Sequence, residues 1–513
     1  SYAAVGGGVA VGALWLAGAK LYFGDSASLA QDAVAYGGLV ACTMTGAAVA
    51  TATRAGFALA HHGLSFAQWA TLKSLGATDA TVQTFLDVAD VGAIQVVLGK
   101  NGAEALQAIQ KIISAEVSGR EGAHDAPRTG PVGIVPMGVS LLGYVALQQV
   151  VGRTRLEEAT ASRVQPIAAA SELDWAWMAR LLRLSTAVYG RLGTVAGTHG
   201  PASVVSQVTG LTRSHSNHAL DYADLTEEDL VASNWYNTDV FSPAYMVVAD
   251  RDNGVVVVVM RGTGSATDCL TDLHCSPCDV TGHHSGMLEA ATRLSSVLLP
   301  VVQEALETVS REGPGGPGGA RLLLTGHSLG AGVSTLLAWT WRDTFPPGVM
   351  RCFAFAPPAT MNVAESLEVR SLVTSVVVGD DVVPSWSLGS SRHLIDAAAS
   401  FDVSSCKTTV ATAVSVAALG AVGIQGDTAT AEQVEWCRQH HATLLAARSD
   451  RGVLVPAGTV VWLPRDAQGV GDAVFTSPNA FADISFSPRM LTDHLFKAYE
   501  DAVSTLARQS SRL

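Results

Sequence analysis

The run Arg321-Leu-Leu-Leu-Thr325, Gly326-His327-Ser328-Leu329-Gly330, Ala331-Gly332 constrains this chain more than any other stretch. An apolar segment short enough for a buried strand enters a glycine-bracketed turn, and an apolar helical pattern follows from Gly332 to Asp343. A G-x-S-x-G turn between strand and helix sets a serine hydroxyl on a strained, exposed corner beside a helix N-terminus, which favours negative charge. Gly326 and Gly330 lack the Cβ that would clash where strand and helix close on each other. In this context Ser328 reads as a nucleophile; an ordinary turn is the plainer alternative.

The flanking sequence supplies the sheet that such an elbow requires. Asp174 to Tyr189 has a helical pattern. Ala244 to Asp250 and Val255 to Arg261 are short β-branched runs joined by Asp252-Asn253-Gly254, a hairpin signal. Gly286 to Ser310 reads as a long amphipathic helix, and strands are expected at Cys352 to Ala356 and Leu372 to Val378. The Gly/Pro loop over 312–319 lacks the G-K-[ST] ending of a phosphate cradle and reads as a linker. Alternation of this kind predicts an α/β fold whose mostly parallel sheet carries helices on both faces.

A serine nucleophile needs a base, and the base needs an orienting acid. Gly379-Asp-Asp-Val-Val-Pro384 places two acids just after a strand end, and Asp381, in the D-x-V-P position, is preferred over Asp380. Met490-Leu-Thr-Asp-His494 precedes a helix holding Tyr499. The chain has 14 histidines, and His494 stands out because Ser328, Asp381, His494 is the α/β-hydrolase chain order. A developing oxyanion needs preorganised N–H donors. Leu329 offers one, and the glycine-flanked Thr263, just after the Val255 to Arg261 run, offers a backbone N–H and a hydroxyl. Asp272 is expected to hydrogen-bond that oxyanion loop.

Together these residues resemble a family. Arg261-Gly-Thr-Gly-Ser265, Asp268 to Leu273, His284 to Ala291, Gly326 to Gly330, Ala354-Phe-Ala-Pro-Pro358, Gly379 to Pro384 and Met490 to His494 are similar, in order, to the class 3 lipases. Within them the likeness is greatest to the membrane-anchored, sn-1-specific diacylglycerol lipase branch. It covers roughly residues 171–508. The resemblance implies an α/β-hydrolase fold, Ser328 as nucleophile with Asp381 and His494 as partners, and Thr263 with Leu329 as the oxyanion hole. It implies no metal and no cofactor, a glycerolipid ester as substrate with diacylglycerol preferred, and membrane-spanning helices before the catalytic domain. A phospholipase or galactolipase would keep the mechanism and change the head group. A lipase-like structural subunit of a larger membrane complex is the rival of another class.

Composition agrees with contact with lipid. Charged residues are 15% of the chain, against roughly 25% in ordinary soluble domains, and mean hydropathy is +0.28. With 32 basic and 45 acidic side chains the net charge is −13, which leaves no basic excess for nucleic acid. Residues 1–155 read as a helical N-terminal region with three candidate transmembrane helices, 2–23, 33–53 and 131–151, since a bilayer core takes about 20 apolar residues. Residues 64–118 between them are patterned as amphipathic helices. Residues 156–513 read as the lipase domain, with an insertion at about 387–451. Its uncharged stretch 408–425 is expected to lie over the site or dip into lipid, a buried packing helix being the plainer alternative. Partners through the N-terminal helices, and residence in an organellar membrane (mitochondrial or plastid) after loss of a targeting segment, follow as expectations, with the plasma membrane as alternative. Seven scattered cysteines do not make a disulfide scaffold. Cys275 and Cys278 read as a reduced pair ahead of a zinc site or a disulfide.

Overall fold

The computed structural model describes residues 173–190, 215–235, 239–263, 271–272, 282–313, 319–400, 452–466, 469–485, 487 and 489–510, with Gln148, Glu435, Arg438, Gln439, His441 and Thr443. The candidate spans 2–23, 33–53 and 131–151 lie outside the described residues, apart from Gln148, as do the stretch 408–425 and Cys275 with Cys278. Among the described residues no helix is long and apolar enough to cross a membrane. The elements below, apart from residues 395–400, belong to one compact unit built from residues 153–263, 270–394 and 449–513. A second unit, 1–152, 264–269 and 395–448, falls almost wholly outside the described residues.

In chain order the elements are α1 (Trp175–Ala187), α2 (His215–Ala223), β1 (Leu230–Asn234), β2 (Tyr245–Asp250), β3 (Val255–Met260), α3 (Ser285–Glu312), β4 (Arg321–His327) and α4 (Leu329–Trp341). There follow β5 (Met350–Phe355), α5 (Val363–Glu368), β6 (Val373–Val378), α6 (Leu388–Ser400), β7 (Thr459–Leu463), the two-residue strands β8 (Arg465–Asp466) and β9 (Gly469–Val470), β10 (Val474–Thr476) and α7 (Phe496–Ser510). The main sheet has the order β1-β2-β3-β4-β5-β6-β7-β10. Strands β3 to β7 run parallel, while β1 and β2 at one edge and β10 at the other are antiparallel.

Strands covered on both faces cannot alternate apolar with polar residues, and these do not. All six residues of β3, Val-Val-Val-Val-Val-Met, are buried, as are all six of β6. Val255, Val257 and Val259 share a core with Leu323, Phe355, Val376 and Val461 beneath Met178 and Leu181 of α1 and Tyr499 and Val503 of α7. Val256, Val258 and Met260 point the other way by strand alternation, to the face on which α3 and α4 pack against each other. The hairpin joining β2 to β3 closes with Gly254 at φ +63°, a left-handed conformation that glycine adopts freely. Asp174 caps α1 by accepting the Trp177 N–H at 3.0 Å.

The two element ends beside the serine differ from the sequence expectation. Helix α4 begins at Leu329, directly after the serine, three residues before Gly332. Gly330 and Gly332 lower helix propensity, but close packing holds them in the first turn. Strand β4 extends to His327, so the turn between strand and helix is one residue, Ser328.

Candidate active site

Ser328 occupies that one-residue corner with φ +57° and ψ −130°, a conformation rarely taken by a residue with a side chain. Two close approaches force the corner. A Cβ on Gly326 would lie 2.4 Å from the Gly330 carbonyl carbon, and a Cβ on Gly330 would lie 2.2 Å from the Met260 carbonyl oxygen at the end of β3. The helix start is thus pressed onto two strands at once, and the serine is left projecting above them. The neighbouring Leu329 N–H is the first of α4, where no intrahelical acceptor exists.

The loop after β6 brings in the acid. Asp381 is fully buried; its Oδ1 accepts the Val383 N–H at 3.0 Å and its Oδ2 accepts the Tyr499 hydroxyl at 2.7 Å. His494 arrives just before α7, with Nδ1 at 3.0 Å from both Asp381 oxygens and Nε2 at 3.0 Å from Ser328 Oγ. With a carboxylate accepting at Nδ1, the hydrogen sits there, and Nε2 is left to accept from the Ser328 hydroxyl. Sequence reasoning left Asp380 open as an alternative. The Asp380 carboxylate turns away, accepting from Ser487 Oγ at 2.6 Å and from Arg489 at 3.0 Å.

Electrostatics tune the three groups. Burial opposes charge on the His494 imidazole, but the Asp381 carboxylate and its hydrogen bond outweigh that, Asp272 adds to them, and the net shift is upward. Burial alone would raise the Asp381 carboxyl, yet His494 and the hydrogen bonds from His494, Tyr499 and Val383 bring it below the usual carboxylate range. Burial, reinforced by Asp381, holds the Tyr499 phenol well above its ordinary value, so it remains a donor. Thr263 Oγ1 donates to Asp272 Oδ2 at 2.6 Å, which is the support expected for the loop after β3.

Several residues here went unrecognised in the sequence. Tyr499 has no role in the sequence reading beyond standing on the helix that follows His494. His327 is buried between the histidine loop and α7. Burial lowers its imidazole to about 3, with His494 adding, so the ring is neutral. Its Nε2–H donates to the His494 carbonyl at 2.9 Å, and its ring lies on Phe496 with centroids 4.1 Å apart. Among the described residues no cluster of three or more His, Cys, Asp or Glu side chains is placed to hold a metal ion. The third predicted block, His284 to Ala291, forms the start of α3, where the His284 ring accepts the Met287 N–H.

A parallel sheet, a serine on a strand-to-helix corner at the end of a central strand, and a buried carboxylate joined to that serine through histidine define an α/β-hydrolase domain. Residues 257–390 match the model of the class 3 lipase family, Lipase (class 3). The chain is 33% identical over 194 residues to diacylglycerol lipase-alpha of Homo sapiens, covering 35% of this chain and 18% of that protein. It is 29% identical over 170 residues to diacylglycerol lipase-beta of Mus musculus, covering 31% and 24%. The matched part is therefore about a fifth of the length of these curated relatives. Similar solved structures include the native lipase propeptide complex of Rhizomucor miehei, at 16% identity and TM-score 0.36 over 64% of this chain and 82% of that one. A mutant form of MDLA from Penicillium cyclopium is 15% identical, with TM-score 0.38, over 66% and 99%.

Proposed function

We propose that this chain is a serine lipase that hydrolyses acyl esters of glycerolipids, with diacylglycerol as the preferred substrate. The observation that carries this is the unbroken hydrogen-bonded chain from Asp381 through His494 to Ser328. In this reading Ser328 Oγ attacks the acyl carbonyl while His494 Nε2 takes its proton. The oxyanion forms against the N–H groups of Leu329 and Thr263, while the Thr263 hydroxyl donates to Asp272. Collapse expels the glyceride alkoxide, which takes the proton back from His494, and leaves an acyl-Ser328 ester. Water, deprotonated by His494, then releases the fatty acid and restores the serine. The diacylglycerol preference rests on the two relatives whose names carry that substrate.

Membrane association through residues 1–155 belongs to the same proposal, supported by the uncharged stretch 33–53 and the nearly continuous apolar run 131–151. So does the division into this region and a lipase domain over 156–513.

One experiment tests both parts. Cells expressing the full chain are fractionated and labelled with a fluorophosphonate, alongside Ser328→Ala. Labelling in the membrane fraction that the substitution abolishes supports the reading. Labelling that survives Ser328→Ala would assign the nucleophile elsewhere, and labelled protein in the soluble fraction would remove the anchor.

The acid limb of the pH profile follows from the raised His494. The imidazole must be neutral to accept the serine proton, so a group held above its ordinary value of 6.5 switches off activity at a pH above 6.5. The kcat/KM on a soluble ester is expected to fall with that midpoint as pH drops. Asp272→Asn removes one of the charges that raise it and moves the midpoint downward.

A further inference from the structure

We infer that Asp493 is a positioning residue of this site: its buried carboxylate ties the loop that carries Asp381 to the loop that carries His494, and so sets how acid and imidazole meet. The inference rests on the triad reading given above and adds to it a residue that touches none of the reacting atoms.

The side chain of Asp493 is fully buried, and an unpaired carboxylate there would be strongly disfavoured. Its two oxygens have different partners. Oδ1 accepts from Arg465 at 2.7 Å, and Oδ2 accepts the backbone N–H of Asp380 at 2.9 Å, with Arg489 Nε 4.0 Å away. Residue 493 thus holds residue 380 by its backbone, while residue 494 holds residue 381 by its side chain. The links are adjacent on both strands of chain, so each fixes the residue beside the other. Further ties run between the same loops: Arg489 and Ser487 donate to the Asp380 carboxylate, and the Val382 N–H donates to the Met490 carbonyl at 3.3 Å.

Gly379 shows how closely the carboxylate is seated. It has φ +52°, and a Cβ there would lie 2.2 Å from Asp493 Oδ2. The acid therefore occupies the space that a side chain on residue 379 would fill. A simpler role, neutralising two arginines, does not account for this placement. Arg465 and Arg489 are 31% and 38% exposed and already solvated, whereas Asp493 Oδ2 accepts the Asp380 backbone N–H.

The test uses the purified full chain, with fluorophosphonate labelling of Ser328 as a prior condition; absence of labelling in the parent chain would overturn the triad reading itself. Asp493→Asn keeps the shape but turns an amide NH₂ toward either Arg465 or the Asp380 N–H. We expect kcat on a soluble ester to fall about tenfold to a hundredfold, the scale of a small misplacement of reacting groups, with KM little changed. The acid limb of the profile should move toward the ordinary histidine value, because Asp381 no longer holds the imidazole squarely. Arg465→Met, at a partly exposed cation, keeps the experiment decisive if Asp493→Asn does not fold. It should displace the acid limb in the same direction, and Arg465→Lys should restore it. A folded Asp493→Asn or Arg465→Met that lowers the melting temperature but leaves kcat and the acid limb of the parent overturns the inference.

Discussion

Asp381→Asn is expected to lower kcat by about 10⁴-fold in a protein that still folds. The amide keeps the shape of the side chain and can still accept the Tyr499 hydroxyl, now 2.7 Å from Oδ2. It cannot keep an acceptor at both oxygens facing His494 Nδ1. An NH₂ turned to that nitrogen selects the tautomer with hydrogen on Nε2, which then points a donor at Ser328 and cannot take its proton. Asp380→Asn is the matched control. It weakens a partly exposed pairing with Arg489, worth about 1 kcal/mol or less, so less than about tenfold is expected. Steady-state rates on a soluble ester decide between the two neighbours. A larger loss at residue 380 would reverse the assignment of the acid.

The second large effect concerns the corner itself. Glycine-to-alanine changes within helices ordinarily stabilise by about 1 kcal/mol. Gly330→Ala is expected to do the opposite, because its Cβ would sit 2.2 Å from the Met260 carbonyl oxygen and 2.8 Å from the Arg261 carbonyl carbon, both rigid backbone. Overpacking of this kind costs about 1–3 kcal/mol or more, which outweighs the propensity gain. The first turn of α4 must shift away from β3, carrying Ser328 and the Leu329 N–H with it. The urea midpoint and the activity should therefore fall together. A variant as stable as the parent would mean that α4 can settle elsewhere on the sheet.

Much of this site could be read in the sequence because its signals are local. Gly326, Ser328 and Gly330 are bound by a single strand-turn-helix, and Thr263 with Asp272 are nine residues apart. The sheet was legible for the same reason wherever a run such as Val255–Met260 is buried on both faces. Asp381 was harder, since two identical acids stand side by side and the difference between them is which way each turns. Asp493 and Arg465 carried no local signal at all. Their pairing and the tie to Asp380 join segments 28 and 113 residues apart, and no spacing rule connects them. His327 was one histidine among 14, set apart only by what packs around it. Strand β7 pairs with β6 across the 387–451 insertion, so the last parallel strand does not follow its partner in sequence at the usual short interval.

The packing of α7 has a consequence for how the chain is made. That helix covers the sheet face beside α1, the first helix of that unit among the described residues, and His494 stands two residues before it. During synthesis, every strand and the serine corner leave the ribosome before the residues that seal one side of the sheet. Until about residue 510 is free, Val376 and Val378 of β6 lack the cover of α7, and transiently exposed apolar surface of this kind is prone to aggregation. Premature termination between Thr476 and His494 would yield a chain that has every strand and Ser328 but neither His494 nor that cover.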